Sequence, residues 1–275
     1  MEKVFVPVRI LDKKWALKFV SGVIFMRSLA DLGSWNRFKH IGNTELVNNY
    51  RGDLYEGAFK TVAKPEDDDF LKRLPDSLQE HIISGKLIDY GDIMYFNVLC
   101  MYCLHYFPLT DKFESPSHRL KEFGDTAVVI TDMNAFFNRL FEQIEWKKRY
   151  TSLVNTVEYY DEGKTKDLNP MFNKIDFYSW QNELRIALVR LDIHHKLKNG
   201  KYPIKRITAP LKLKIGSLSD ITRLVPIDDF VSGNWDNTGL KFSSESFFLK
   251  TAIDRTDEIM SEYSPGIYKP IFTIG

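Results

Sequence analysis

Cysteine is scarce in this 275-residue sequence, which has only Cys100 and Cys103, in the stretch NVLCMYCLHY. A structural zinc site takes four ligands, so a single CxxC pair cannot complete one from cysteines alone. Unpaired cysteines in a reducing compartment usually lie in the core as small apolar side chains. We therefore expect two core thiols and no cysteine-based metal centre.

Motifs of several common enzyme classes are missing from the sequence. It contains neither the GxxxxGK[ST] of P-loop ATPases nor the GxGxxG of dinucleotide-binding Rossmann domains, and the GxSxG of serine hydrolases is absent too. HExxH is also missing, and the adjacent His194 and His195 would face opposite sides of a strand. The sequence therefore predicts no metal site.

The sequence also lacks an excess of either charge and a long apolar run. Its 38 Lys and Arg against 37 Asp and Glu leave a net charge of +1, so no overall field attracts nucleic acid or a membrane. The longest apolar stretch is interrupted by Asn97 and His105, and it is shorter than the roughly 20 residues that cross a bilayer. The opening MEKVFVPVRI starts directly as a strand pattern rather than as a charged and apolar leader. We expect a soluble, cytoplasmic protein that does not bind membranes.

Alternating and continuous apolar patterns predict a mixed α+β fold. Apolar residues at i, i+3, i+4, i+7, i+8 and i+11 from Met133 predict the clearest helix, which begins after Asp132. A shorter helix is predicted over 12–22. The main predicted strands cover 3–10, 23–29, 93–107 and 124–130. Many strands with few helices indicate a mixed or antiparallel sheet core. A hydrophobic fraction of 44% indicates a folded globular protein. The length of 275 residues allows one large domain or two small ones, and we favour one domain over 1–275 with a C-terminal extension from about residue 225.

A short polar string, Gln181-Asn182-Glu183, interrupts the stretch FYSWQNELRIAL (177–188). If this stretch is one strand, Gln181, Glu183 and Arg185 share a face because successive side chains alternate. The opposite face would then enter the core through Trp180, Leu184 and Ile186. The polar face is either a functional site or a solvated surface with a cross-strand ion pair worth about 0.2–1 kcal/mol.

The order of three motifs resembles that of the mono-ADP-ribosyltransferase superfamily. Gln181-Asn182-Glu183 has the Q-x-E form of the late strand motif of that superfamily, and Arg9 in VPVRI stands where it keeps a first-strand Arg or His. The middle motif of the superfamily is S-T-S or a tyrosine, for which CMYC offers Tyr102. The resemblance implies an ADP-ribosyltransferase-like α+β fold with NAD as the cofactor.

The same resemblance implies a role for each matched residue. Glu183 would bind the nicotinamide ribose and stabilise the positive charge that develops as nicotinamide leaves, while Gln181 would position the acceptor. Arg9 would hold the NAD diphosphate or ribose through its planar fork of donors, and Tyr102 would stack on nicotinamide. Two more arginines complete the predicted NAD-binding set: Arg27 and Arg51.

A longer part of the chain, about residues 5–220, resembles an uncharacterised bacterial and phage domain-of-unknown-function family. Members of that family have a first strand ending in Arg, an acidic turn, a buried strand ending near C-F-S, a helix carrying Tyr-Gly and a late E-x-E-x-R strand. The corresponding stretches here are VPVRI, RGDLYEGA, VLCMYC, HRLKEFGDTAVVI and WQNELRI. This family is itself similar to the ADP-ribosyltransferases, so the two resemblances support each other without being independent.

A basic segment follows the Q-x-E motif, between Arg190 and Lys214, with Asp192 as its single acidic residue. Clustered Lys and Arg beside aromatic residues favour contact with nucleic-acid phosphates. The residues predicted to bind nucleic acid are Lys196, Lys198, Lys201, Lys205 and Arg206. The segment also fits a solvated hairpin with Asn199-Gly200 as its turn.

These observations together predict an NAD-dependent ADP-ribosyltransferase that modifies a nucleic acid or a protein, as a toxin or phage-defence effector with a possible antitoxin or regulatory partner. One alternative is a non-catalytic nucleotide- or partner-binding protein of the same fold, which a buried Glu183 paired with Arg185 would favour. Another alternative is a metal-dependent phosphate-handling enzyme that uses Asp53, Glu56 and Glu183 around a divalent cation.

Overall fold

A computed structural model describes the parts of the chain that contain most of the predicted strands and helices. The described residues are 4–29, 57–62, 85–88, 96–107, 109–147, 150–161, 166–169, 171–190 and 210–235, together with Leu32, Asp69, Lys72, Lys164 and 239–240. All structural statements below concern these residues.

A nine-stranded antiparallel sheet forms the centre of the described structure, and β5 (Phe96–Phe107) is its longest strand. The other strands of this sheet are β1 Val4–Leu11, β2 Val23–Ser28, β6 Lys112–Phe113, β7 Thr126–Ile130, β8 Tyr150–Thr156, β12 Glu183–Arg190, β13 Leu211–Lys214 and β14 Thr222–Pro226. The path of paired strands is β13-β2-β5-β1-β7-β14, in which β2 and β1 pair with different parts of one edge of β5. Strand β12, followed by β8, pairs with the other edge of β5, and β6 pairs with the end of β5.

The described residues also form two small sheets. The first contains β3 (Ala58–Val62), β4 (Gly85–Ile88) and β10 (Lys166–Asp167). The second pairs β9 (Glu158–Tyr160) with β11 (Asn173–Ile175) in parallel. In this pair Lys174 lies opposite Tyr159, which brings both residues toward the start of β12.

Helices cover one face of the large sheet because each has a single apolar side. Helix α1 (Lys13–Val20) buries Ala16 and Phe19, and α2 (Met133–Lys147) buries the periodic residues that predicted it: Met133, Phe136, Phe137, Leu140 and Ile144. The Asp132 carboxylate accepts a hydrogen bond from the Ala135 amide at 3.1 Å and so caps α2. The inward side chains of both helices join one core with alternate residues of β5 and β12.

The opposite face of the sheet carries a second apolar cluster around Val8, Tyr102 and Val129. A 3-10 helix, His118–Phe123, and the short helix α3 (Ile227–Val231) pack there through Leu120 and Phe230. Both faces of the sheet are therefore buried around β5, which explains why this strand reads as a nearly continuous apolar run.

The α+β prediction is confirmed, with an antiparallel sheet and few helices. No helix in the described ranges is both long and apolar enough to span a membrane. The assignment of residues to one domain, with an extension from about residue 225, stays a prediction.

One strand prediction is wrong in a way that matters for the site. The stretch 177–188 is not one strand, because Asp176–Gln181 forms a second 3-10 helix and β12 begins only at Glu183. Asn182 between them has φ 37° and ψ 60°, the left-handed conformation that ends the helical turn.

Candidate functional site

A gap in the large sheet lies between two strands that share one edge of β5. The first half of β1 pairs with the C-terminal part of β5, from Val4 opposite Tyr106 to Val8 opposite Tyr102. Strand β2 pairs with the N-terminal part of β5, where Arg27 lies opposite Val98. Beyond Val8, β1 continues along β7 instead of β5. The backbone of β5 between Val98 and Tyr102 therefore faces a cleft on this edge.

The cleft encloses about 60 Å³, or about 360 Å³ when the open solvent at its mouth is included. Its apolar walls with a few polar groups are typical of small-molecule sites. Its lining comes from β1, β5, the two 3-10 helices and β12: Arg9, Ile10, Cys100, Met101, Tyr102, Leu120, Phe123, Gln181 and Glu183. Four of the sequence-predicted site residues thus meet in one place: Arg9, Tyr102, Gln181 and Glu183.

Arg9 reaches across the gap between β1 and β5. Its Nη1 donates a hydrogen bond to the carbonyl oxygen of Cys100. Burial lowers the pKa of Arg9, and the charge of Arg27 adds to this effect, whereas Cys100 and Glu183 act in the opposite direction. No carboxylate among the described residues forms an ion pair with Arg9. The guanidinium has five donors, so one carbonyl partner does not exhaust it.

Glu183 forms two ion pairs with buried cations. Its Oε1 lies 2.6 Å from Lys174 Nζ, and its Oε2 lies 2.9 Å from Arg185 Nε. Burial raises the pKa of Glu183, but the charges and hydrogen bonds of Lys174 and Arg185 outweigh burial and lower this pKa overall. The carboxylate is therefore ionised and held in one orientation at the wall of the cleft.

The solvated-face interpretation of this motif is wrong. Gln181 is 3% exposed, Glu183 8% and Arg185 1%. The ion pair of Glu183 with Arg185 lies along one strand rather than across two. Arg185 also donates from Nη1 to the Met171 carbonyl at 2.8 Å, so a second donor of its buried guanidinium has a hydrogen-bond partner.

Gln181 lies beside Glu183 although it belongs to the preceding 3-10 helix. The Lys174 ammonium donates to Gln181 Oε1 at 2.5 Å as well as to Glu183, and it also lies 4.8 Å from the centre of the Tyr178 ring. Lys174 therefore joins the two residues of the Q-x-E motif. The sequence contained only a weak signal for this role, a lysine between Phe172 and Ile175.

Tyr102 lies on the same sheet face as Glu183, because the two residues are direct partners in the β5–β12 ladder. Its ring packs edge-on against Phe230, with centroids 6.1 Å apart and planes at 90°. Burial raises the pKa of Tyr102, and the charge of Glu114 adds to this shift. Tyr102 is mostly buried but contributes to the cleft wall.

The two cysteines differ in their surroundings. Cys103 is fully buried in the helical side of the core, and burial raises the pKa of its thiol, as does the charge of Glu114. Cys100 points to the other face, is half-buried and lines the cleft. The core prediction is confirmed for Cys103, whereas Cys100 belongs to the cleft wall.

The remaining predicted site residues either lie outside the cleft wall or fall outside the described residues. Arg27 lies in β2, half-buried and electrostatically coupled to Arg9, but it is not among the residues of the cleft wall. Arg51 lies outside the described residues, and so does the predicted nucleic-acid-binding set: Lys196, Lys198, Lys201, Lys205 and Arg206.

The described residues contain no group of three His, Cys, Asp or Glu side chains placed to hold a metal ion. Asp53 and Glu56, which the metal-dependent alternative requires, lie outside those residues. Within the described structure the partners of Glu183 are Lys174 and Arg185, which are cations rather than fellow metal ligands.

Comparisons with protein-family models, with curated proteins and with solved structures find no match to this chain. The resemblances drawn from its motifs therefore stay predictions.

Proposed function

We propose that the cleft binds NAD and that the protein is an ADP-ribosyltransferase acting on a macromolecular acceptor. One observation carries the proposal: Arg9, Tyr102 and the Gln181–Glu183 pair come from distant parts of the sequence and line a single cleft. These are the residues that the motif resemblance pairs with NAD and its acceptor. A cleft with a carboxylate, an arginine and apolar walls suits a ligand with a phosphate part, a ribose and a flat ring.

Arg9 is the proposed phosphate anchor. Its guanidinium lies at the open gap of the sheet and has no carboxylate partner among the described residues, so an anionic ligand would supply the missing charge. Arg27 adds positive charge on the same side without entering the cleft wall.

Glu183 is the proposed catalytic carboxylate. As the bond between ribose C1′ and the nicotinamide nitrogen breaks, its electron pair leaves with nicotinamide and positive charge develops on the ribose. An ionised carboxylate fixed beside that carbon stabilises the charge most strongly in the transition state. The acceptor nucleophile then bonds to C1′ and passes its proton to solvent, and the proposed role of Gln181 is to orient that nucleophile.

A second candidate is a nucleotide-binding protein of the same architecture without transferase activity. It is favoured by the pairing of Glu183 with both Lys174 and Arg185, because each cation weakens the field of the carboxylate at the ribose. With Arg9, three cations surround this single carboxylate. Such a cleft attracts anions whether or not it supports chemistry.

Incubation of the protein with labelled NAD and cell extract tests both candidates. Transfer of the label to nucleic acid or protein by wild type, and not by Glu183→Gln, supports the transferase. Calorimetry on the same two proteins measures NAD binding separately. NAD binding without label transfer supports the second candidate, whereas no binding at millimolar NAD by a folded protein contradicts the transferase and any NAD-binding role of the cleft.

The proposed biological setting, a toxin or phage-defence effector held by a partner protein, rests on the resemblance alone. Expression in a bacterial host tests it directly. A toxin of this class stops growth when its cleft is intact and does so less when Glu183 is replaced by Gln. Equal growth with both proteins at equal abundance contradicts a toxic role.

A further inference from the structure

Asn182, the middle residue of the Q-x-E motif, makes a contact that the motif does not require. Glu183 lies opposite Tyr102 in the β5–β12 ladder, so the next pair in this register would join Asn182 to Cys103. In a regular antiparallel ladder, alternate residue pairs exchange two backbone hydrogen bonds. The Cys103 amide does donate to the Asn182 carbonyl at 2.7 Å.

The reverse bond of this pair is made by a side chain. The backbone amide of Asn182 donates to the Ser179 carbonyl at 3.1 Å and so closes the 3-10 turn. The Cys103 carbonyl is satisfied by Asn182 Nδ2 at 2.5 Å. The side-chain amide thus replaces the backbone N–H of the same residue in the ladder.

Because the side-chain amide takes the place of the backbone N–H in the ladder, the chain can change from a 3-10 helix to a strand within one residue. The left-handed φ of 37° directs the backbone amide of Asn182 into the helical turn, and Asn adopts this region more readily than most residues. On either side of Asn182, the side chains of Gln181 and Glu183 converge on Lys174 Nζ at 2.5 Å and 2.6 Å.

We propose that Asn182 is a positioning residue, which holds Gln181 and Glu183 together at the cleft through its bond to the Cys103 carbonyl. Its role in catalysis rests on the proposed transferase function. Its role in the geometry of the cleft does not. Asn182 touches neither the ribose nor the acceptor in this scheme and acts only through its two neighbours.

Two substitutions separate the amide from the backbone conformation. Asn182→Gly keeps the left-handed φ and removes the side-chain donor. Asn182→Asp keeps the size and tolerance of the conformation but places a carboxylate oxygen against the Cys103 carbonyl. Asn138→Asp is the control, because it makes the same chemical change as Asn182→Asp at an exposed position of α2, the helix on the other face of the sheet.

The first measurement needs no activity. The Lys174 ammonium, buried and bonded to both motif residues, is followed by NMR of lysine labelled with ¹⁵N at Nζ and is identified by its loss in Lys174→Met. We expect its signal to shift or to vanish by exchange in Asn182→Gly and Asn182→Asp, and to stay unchanged in Asn138→Asp. An unchanged signal in both Asn182 variants overturns the proposal.

The second measurement is steady-state transfer from NAD. We expect kcat to fall roughly 10- to 100-fold in Asn182→Asp and Asn182→Gly while KM for NAD stays within about twofold, since small misplacements of reacting groups cost about this much. Unchanged kcat, or a rise in KM alone, contradicts a positioning role in catalysis. If wild type has no activity but the ammonium signal moves, the transferase proposal fails and the geometric role stands.

Discussion

Arg185 Nε lies 2.9 Å from Glu183 Oε2, although the two residues belong to the same strand and are two positions apart. Side chains at this spacing leave one face of a strand about 6.5–7 Å apart. The arginine stem spans this distance and places its head on the carboxylate. The pair is therefore local in sequence, but its strength depends on the burial that surrounding elements provide.

The first prediction concerns this buried pair. Glu183→Ala leaves Lys174 and Arg185 as uncompensated buried cations, so we expect a loss of about 3–5 kcal/mol in the free energy of unfolding. Replacing all three residues together, Lys174→Met with Glu183→Leu and Arg185→Met, should cost much less because the two cations lose their charge together with the carboxylate. Urea denaturation measures both variants. A triple variant that is less stable than Glu183→Ala would contradict the electrostatic explanation.

The second prediction concerns pH. The pKa of Glu183 is lower in the folded protein than the roughly 4.3 of an unfolded chain, so its ionised form stabilises the fold above that pH. As pH falls through the folded pKa of about 2, this contribution is lost. The stability difference between wild type and Glu183→Gln should be constant above about pH 5.5 and shrink below about pH 4.5. Thermal unfolding over pH 2.5–7 measures it, and a difference that grows on acidification would reverse the assigned sign.

The third prediction concerns Arg9 as an anion anchor. Arg9→Ala should weaken NAD binding roughly 10- to 100-fold, in the range of a lost charge-assisted hydrogen bond, and Arg9→Lys should recover only part of it. Arg139→Ala is the matched control, because Arg139 forms a surface pair with Asp220 through both of its terminal nitrogens. Calorimetry reports all three affinities. Equal affinity of Arg9→Ala and wild type would remove Arg9 from the site.

The fourth prediction uses Cys100 as a reporter of the cleft. Its half-buried thiol lines the wall, whereas Cys103 is fully buried with a raised thiol pKa and should not react. Iodoacetamide should therefore modify Cys100 alone in the folded protein, and saturating NAD should slow this reaction. Peptide mass spectrometry gives the rate at each cysteine, with Cys100→Ser as the blank. Modification of Cys100 that is unaffected by saturating NAD would place the ligand elsewhere.

The fifth prediction concerns the basic segment between Arg190 and Lys214. If it binds nucleic acid, affinity for a single-stranded RNA should fall steeply as salt rises, and reversing charge at Lys205 and Arg206 should lower both the affinity and the salt dependence. Charge reversal at two exposed lysines of α1, Lys13 and Lys14, is the control for net charge. Binding that is absent or independent of salt would point to a protein acceptor instead.

Local patterns in the sequence determined the main strands and the principal helix. The apolar run of β5 and the 3.6-residue repeat of α2 predict their elements because burial of one face or both is encoded within each segment. The same holds for β1, α1 and β2, which alternation and a one-sided apolar repeat predict. The meeting of Arg9 with Glu183 at one cleft was predicted only through the motif resemblance.

The tertiary structure decided what surrounds Glu183. The strand pattern alone was compatible with a solvated surface at Gln181, Glu183 and Arg185. Alternation shows which side chains share one side of a sheet, but it does not show whether other elements cover that side. Strand β11 pairs with β9 and carries Lys174 to the start of β12, a contact between residues that no sequence period connects. The helical turn before Asn182 likewise depends on a hydrogen bond to Cys103, 79 residues away. Long-range packing of this kind determines whether a polar string becomes a solvated surface or the wall of a cleft.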